Sequence, residues 1–303
     1  MKPNVLCAVE PNAEARKTLA TAAAYAHSRG WTVGVLHVVK PLITVYGDLN
    51  FTPLVEAGAG IDQTARSEAL THLQALAQEV GIDPANVQVR FGYPADEISR
   101  TAKDDDVDLI VIGVHNRSGL SRLLGSTTRA VMNATSCPVL AIHPDQDNDH
   151  EVSDKGNGKY TNLLVAVDTS KTMSEVFAHA SNFTGSDTHA HVISVVVPVA
   201  AAMAGMSPES FSSRWPLKDI EADILKQVHC AISSAMVDAS LNEYDLEVRQ
   251  GDPAEEVVDY ASSLNADLIV IGSGRRNVLE RLFLGSTTHA ILNRTPCDVY
   301  VGR

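Results

Sequence analysis

The chain holds four cysteines in 303 residues, and no two of them stand in a C-x-x-C spacing. Cys7, Cys137, Cys230 and Cys297 therefore spell neither a disulfide framework nor a zinc ribbon. Three of the four fall in strand or helix patterns, where a buried reduced thiol is the ordinary role. Long apolar runs are also missing. Nothing approaches the roughly 18–20 apolar residues that span a bilayer. The N-terminal MKPNVLCAVEPNAEARK has a short apolar stretch but no signal-peptide core or cleavage site. A cytoplasmic protein without membrane contact is the expectation. Excess positive charge is lacking too: the net charge is −13. That disfavours a nucleic-acid backbone or an anionic membrane as a general partner, although a local basic loop can still hold an anion.

Several catalytic signatures are absent. There is no G-x-x-x-x-G-K-[ST], so no Walker A lysine cradles a phosphate. GSGRRN at 272–277 begins like a dinucleotide fingerprint but lacks the third glycine and follows the wrong strand of its half. No H-E-x-x-H occurs. Ser99 and Ser170 have no visible His–Asp partners, so no nucleophilic triad is expected. His189 and His191 form H-x-H at a strand start and share one face. They could share a metal, but no third ligand can be named, and a solvated strand end is favoured.

What the chain does have, it has twice. Residues 92–113 read GYPADEISRTAKDDDVDLIVIG, and 251–272 read GDPAEEVVDYASSLNADLIVIG. LLGSTTRAVMN at 123–133 is answered by FLGSTTHAILN at 283–293, and VLCAVE at 5–10 by LLVAVD at 163–168. A repeat near 160 residues is too long for a solenoid unit and implies two related domains. The polar, acidic stretch 144–159 carries no apolar period and reads as a linker, leaving domains at 1–143 and 160–303.

Each half alternates short valine-rich runs with helical patterns. Leu70, Leu73, Leu76 and Val80 recur at helical spacing in one half, and Ile220, Ile224, Val228, Ile232 and Met236 in the other. DLIVIG is nearly unbroken in both copies, the mark of a strand buried on both faces. This predicts an α/β fold with a parallel sheet covered on both sides. Residues 41–60 and 198–216 read as irregular. The second of these is apolar and could cover a sheet edge or dock a protein partner. DDD at 104–106 reads as a solvated helix end.

The best-kept feature is a strand, a glycine loop and a helix start. In the second copy Gly272 ends a strand and Gly285-Ser286 opens a helix. A helix N-terminus offers free backbone N–H groups and a partial positive charge. Ser286, Thr287 and Thr288 add hydroxyls, and Arg275, Arg276 and Arg281 add charge. The combination suits a di- or triphosphate. Ligands of open parallel sheets sit beyond the carboxyl ends of strands, where chain order reverses. If the first and fourth strands are neighbours there, Asp168 lies across the crevice from Gly272. It could then accept from ribose hydroxyls or help hold a metal ion. The sequence D-T-S-K equally suits a helix N-cap.

The run DLIVIG, a glycine/arginine loop, LGST, a helix and a last valine-rich strand resembles the universal stress protein family, over nearly all of both halves. The resemblance implies a tandem member, a five-stranded order 3-2-1-4-5 in each half, and a pseudo-dimer in which the last strands, 138–143 and 298–302, pair. It also implies the nucleotide-binding pattern G-x2-G-x9-G-[ST]. Gly272, Gly285 and Ser286 match it. Arg275 stands at the second glycine, with Gly274 one place earlier, and Arg276 matches the family arginine. Asp168 matches the family's acidic residue and Val195 its adenine-side valine. In the first copy Gly113, Gly125 and Ser126 match, followed by Thr127. There Asn116 replaces the second glycine, the loop is one residue shorter, and Glu10 replaces the aspartate. Val38 is the aligned valine.

The resemblance therefore implies binding of ATP or another adenine nucleotide, with magnesium as a candidate companion, mainly in the second half. A stress sensor or regulator is the leading role. An interaction scaffold with degraded pockets is the alternative, and a slow ATP hydrolase a weaker one, because no base placed to activate water can be named. Further dimerisation of the whole chain is left open.

Overall fold

The computed structural model describes residues 2–40, 52–114, 125–143, 160–199, 217–239, 241, 244–273, 284–295 and 297–303, with the backbone alone at 52–61 and 217. The linker 144–159 and the stretch 200–216 lie outside the described residues. The chain forms two compact units that part after Lys159.

In the first unit the strands are β1 (Val5–Ala8), β2 (Val33–Val39), β3 (Val87–Phe91), β4 (Leu109–Gly113) and β5 (Val139–Ile142). Between them run the helices α1 (Ala15–His27), α2 (Thr52–Glu79), α3 (Pro94–Asp104) and α4 (Ser126–Ala134). The sheet order is β3-β2-β1-β4-β5, and every pair is parallel. Parallel neighbours need crossovers, and the helices supply them. β1, β5 and the first four residues of β4 are buried throughout, which is why these segments contain almost no polar residue.

The second unit repeats the plan. Its strands are β6 (Asn162–Ala166), β7 (His189–Val196), β8 (Asp245–Gln250), β9 (Leu268–Gly272) and β10 (Asp298–Gly302). Its helices are α5 (Met173–Ala180), α6 (Leu217–Asp238), α7 (Pro253–Ser263) and α8 (Ser286–Arg294). The order is β8-β7-β6-β9-β10, again parallel. Each half thus has the 3-2-1-4-5 order that the resemblance implies.

Helix α2 differs from the reading of 41–60 as irregular. It already begins at Thr52 and runs 28 residues. Pro53 falls in its first turn, where a missing N–H costs nothing. The alanines and glycines that follow carry no apolar period, so periodicity could not reveal this part. The later amphipathic stretches behave as read: Leu73, Ile232 and Met236 are buried. The helix end at 104–106 is solvated as read, with Asp104 and Asp106 exposed. It closes with Asp106 in the left-handed region at φ 54°, and Asn265 closes the twin helix at φ 50°. Asp and Asn tolerate that conformation better than other non-glycine residues.

The two cores differ at one end. In the second unit a chain of rings links His179, Tyr300, Phe183 and Tyr160, with neighbouring centroids 5.0–5.7 Å apart. Tyr160 donates to the buried Asp298 carboxylate at 3.0 Å. Burial and that carboxylate push the Tyr160 phenol well above its ordinary range. Burial likewise pushes the Cys297 thiol up to about 12 and raises that of Cys7. Both are inert core thiols at neutral pH. At Tyr300's place the first unit has Leu140, which is fully buried.

A candidate nucleotide site at the carboxyl ends of the strands

The chain order reverses between β1 and β4, and again between β6 and β9. These strands are direct neighbours, with Ala8 opposite Ile112 and Ala166 opposite Ile271. In the first unit the two strands then part. The chain after β1 turns toward β2, with Val9 N–H donating to Leu36 C=O at 3.1 Å. The chain after β4 turns toward β5, with Val114 N–H donating to Ile142 C=O at 2.7 Å. Divergence of this kind opens a crevice at the switch point. The second unit begins the same way, with Val167 N–H donating to Ile193 C=O at 3.0 Å.

The residues expected at this edge come out as follows. Glu10 and Asp168 follow their first strands by two residues, and both are exposed. Asp168 is not the cap of α5. That helix begins at Met173 after Thr172. Asp168 instead accepts from the Ser170 N–H at 3.0 Å, a local turn that orients the carboxylate.

Val38 and Val195 are equivalent by register. Val5 pairs with Val33 and Leu163 with Ala190, and each valine stands five residues further along. Val38 is buried and Val195 half-buried. Their neighbours on the next strand are Arg90 and Arg249.

Gly113 and Gly272 end β4 and β9. Gly272 has a packing reason: a Cβ there would stand 3.1 Å from Val176 Cγ2 of α5. Gly125 and Gly285 cap α4 and α8 in extended backbone, at φ −53° and −61°. Any residue can adopt that conformation. Among the described residues a Cβ at Gly125 would find only Thr128 Oγ1, at 3.8 Å, so neither backbone strain nor crowding by those residues accounts for this glycine. Ser126, Ser286 and Thr287 are exposed and Thr127 is half-buried. Among the described residues neither helix start has a side-chain cap.

Thr288 has another role than the one read from the sequence. It is buried and donates to Gly272 C=O at 3.2 Å. Thr128 does the same toward Gly113 at 3.4 Å. The third threonine-position hydroxyl therefore ties each helix start to its strand end. The repeated STT was the available signal. Asn116, Gly274, Arg275, Arg276 and Arg281 lie outside the described residues.

His37 was not anticipated. It precedes Val38, and its Nδ1 lies 2.9 Å from Val9 C=O, so that nitrogen carries the proton. Burial lowers its pKa, against the opposing pull of that bond and of Glu10. His179 is lowered likewise by burial, opposed by a bond to the Arg303 backbone and by Glu175. A histidine with a depressed folded pKa stabilises the fold above its unfolded pKa of ~6.5, and that contribution is lost as pH falls. Melting temperature should therefore drop between pH 7.5 and 5, and His179→Gln should make the drop smaller. An unchanged slope in the variant would rule His179 out as a contributor.

His189 is exposed at the start of β7. His191 Nδ1 lies 3.7 Å from Asp245 Oδ2. Among the described residues no group of three His, Cys, Asp or Glu is placed to hold a metal ion. Among the same residues no helix is long and apolar enough to cross a membrane.

The profile described as "Universal stress protein family" matches residues 1–143 and 159–303. Universal stress protein A homolog 1 of Coxiella burnetii is 29% identical over 139 residues, which is 46% of this chain and 94% of that protein. A solved universal stress protein from Archaeoglobus fulgidus superposes with a TM-score of 0.64, at 19% identity, over 99% of this chain and 96% of the other. A second Archaeoglobus fulgidus structure, of a universal stress protein in complex with dAMP, covers 46% of this chain and 98% of its own length. It is 23% identical, with a TM-score of 0.32. The chain belongs to the universal stress protein family, as a tandem member with one family domain in each half.

Proposed function

We propose that this protein binds ATP or a related adenine nucleotide, chiefly in its second half, and acts as a cytoplasmic stress sensor or regulator. One observation carries the reading. At the strand-order reversal the chain twice presents a helix start with no side-chain cap among the described residues, behind a glycine whose extended backbone other residues could adopt. Uncapped N–H groups beside a small residue suit phosphate oxygens.

The roles follow by position along the edge. Ser286, Thr287 and the α8 N–H groups take the phosphates, with Arg275 and Arg276 supplying charge. Asp168 takes the ribose or a magnesium ion, and Val195 lies on the adenine side. The first half is altered at Glu10 and Asn116. No residue is assigned to catalysis, and ATP turnover above ~1 per second would contradict a binding role. The apolar stretch 198–216 is the candidate surface for a protein partner.

The test uses Arg276→Ala. An arginine bond to phosphate is charge-assisted, and its loss costs about 1.5–3 kcal/mol, a roughly 10- to 100-fold loss of affinity. Calorimetric titration should show ATP weakened by that factor and adenosine hardly changed. Parent-like ATP binding would take the phosphates off this loop.

A further inference from the structure

Among the described residues three large apolar side chains are well exposed: Tyr93, Val197 and Val237. A single exposed apolar residue is ordinary. Two of these three, however, follow strand ends at the carboxyl edge of a sheet. Val197 follows Val195 by two residues, just past the end of β7. Tyr93 follows β3, whose end is joined to β2 where Gly92 N–H donates to Val39 C=O at 3.1 Å. Val237 lies in the last turn of α6, away from either edge.

Tyr93 is the stronger case. It is 60% exposed; its carbonyl accepts from Glu97 N–H at 3.0 Å, but among the described residues its side chain makes no hydrogen bond, ion pair or ring contact. Its place in the twin is taken by Asp252, which caps α7 by accepting from Ala254 N–H and Glu255 N–H, both at 3.0 Å. Tyr93 leads α3 with no side-chain cap. The first half has thus given up a helix cap and gained an exposed ring. The turn beneath it is firm. Gly92 holds φ 151°, and a side chain there would collide with Glu97, which folds back over the turn.

The carboxyl edge of the first sheet runs β4, β1, β2, β3. Along it stand Gly113, Glu10, Val38 and Tyr93. Strands are spaced ~4.8 Å apart, so this edge spans roughly 14 Å. That is about the reach of an extended nucleoside phosphate with its phosphate at α4, its sugar at Glu10 and its base beyond Val38. The base would end at the ring of Tyr93. Aromatic rings offer a flat apolar face on which any planar base can stack.

We propose that Tyr93 is the base-stacking residue of a nucleotide site in the first half. That site takes adenine nucleosides and monophosphates, held by the base, in preference to ATP, held by its phosphates. The inference rests on the adenine-nucleotide reading above, and the ranking of the halves then depends on the ligand. At the place of Tyr93 the second half has Asp252, which offers no ring, but its loop keeps the full spacing from Gly272 to Gly285.

The full chain should be titrated calorimetrically with AMP and with ribose 5-phosphate, which has no base. The parent should show two AMP binding events. Tyr93→Ala should weaken one of them by roughly 5- to 150-fold, the range for loss of a base–aromatic stack, and should leave ribose 5-phosphate binding as it was. Tyr93→Phe should keep parent affinity, because the ring face remains. Tyr93→Asp should lose AMP as the alanine variant does, yet melt at or above the parent temperature, because it restores the twin's cap. That pairing separates a site effect from a folding effect. AMP binding untouched by Tyr93→Ala, or lost equally in Tyr93→Phe, overturns the stacking role while the nucleotide reading stands. A parent that binds neither AMP, ATP nor adenosine overturns both.

Discussion

Gly285→Val should abolish most ATP binding, and Gly125→Val should cost clearly less. A valine at either position meets no backbone obstacle, since both glycines already hold extended backbone at φ −61° and −53°. In the first half the described residues leave room as well, with Thr128 Oγ1 at 3.8 Å from a Cβ. The folding cost at Gly125 is therefore that of replacing a glycine cap by valine, on the order of 1 kcal/mol, and thermal melting of both variants separates folding from binding. The binding cost differs. A branched side chain over the α8 start screens two backbone donors from phosphate. Charge-assisted bonds are each worth about 1.5–3 kcal/mol, so the loss should be on the order of 100-fold or more. The first half has Glu10 in place of the aspartate and a loop one residue shorter, so less phosphate binding is there to lose. Calorimetric titration with ATP measures both variants. Equal losses would overturn the ranking of the halves.

Gly302→Ala should destabilise the second half by about 1–3 kcal/mol, the usual cost of adding a methyl to a filled core. Gly302 pairs with Gly272 at the ends of β10 and β9. Helix α5 lies across this pair. Val176 occupies the space over Gly272, and the His179 ring lies so close over Gly302 that a methyl group would run into it. The ring has little freedom to yield. Its Nδ1 lies 3.1 Å from the Tyr300 hydroxyl, and Tyr300 packs edge-on against Phe183. A shift of several degrees in thermal melting is expected for a unit of this size. Gly125→Ala, which meets only an ordinary contact, is the control. A Gly302→Ala protein that melts with the parent would mean that α5 lifts freely off the sheet.

Much of this was legible because periodic patterns have direct physical causes. DLIVIG reads as a doubly buried strand because a parallel sheet covered on both faces leaves no polar side to mark. Gly285-Ser286 reads as a helix start because serine and glycine suit an N-terminus. The amphipathic series through Leu73 and Ile232 placed two helices. The start of α2 was not legible, because its alanines and glycines have no apolar face to repeat. Asp168 could have been a helix cap or a free carboxylate. The choice depended on where α5 begins, and boundaries rest on local geometry that composition does not carry.

Gly272 and Gly302 show the deeper limit. In sequence both are glycines at strand ends, and Gly272 reads as a phosphate-approach residue. Only the packing of Val176 and His179 shows that the sheet yields room to a helix there. Tyr93 and Asp252 occupy the same place in the two copies, and their difference acquired meaning only once exposure and cap bonds were known. The amino-acid order alone settled the alternation of strands and helices, the two copies and the residue types at the strand ends, because these follow from local chemistry and repeat period. The tertiary structure decided which of those residues face open edge, which are filled by a neighbour and which are bound to backbone, because close packing joins groups more than a hundred positions apart in the chain.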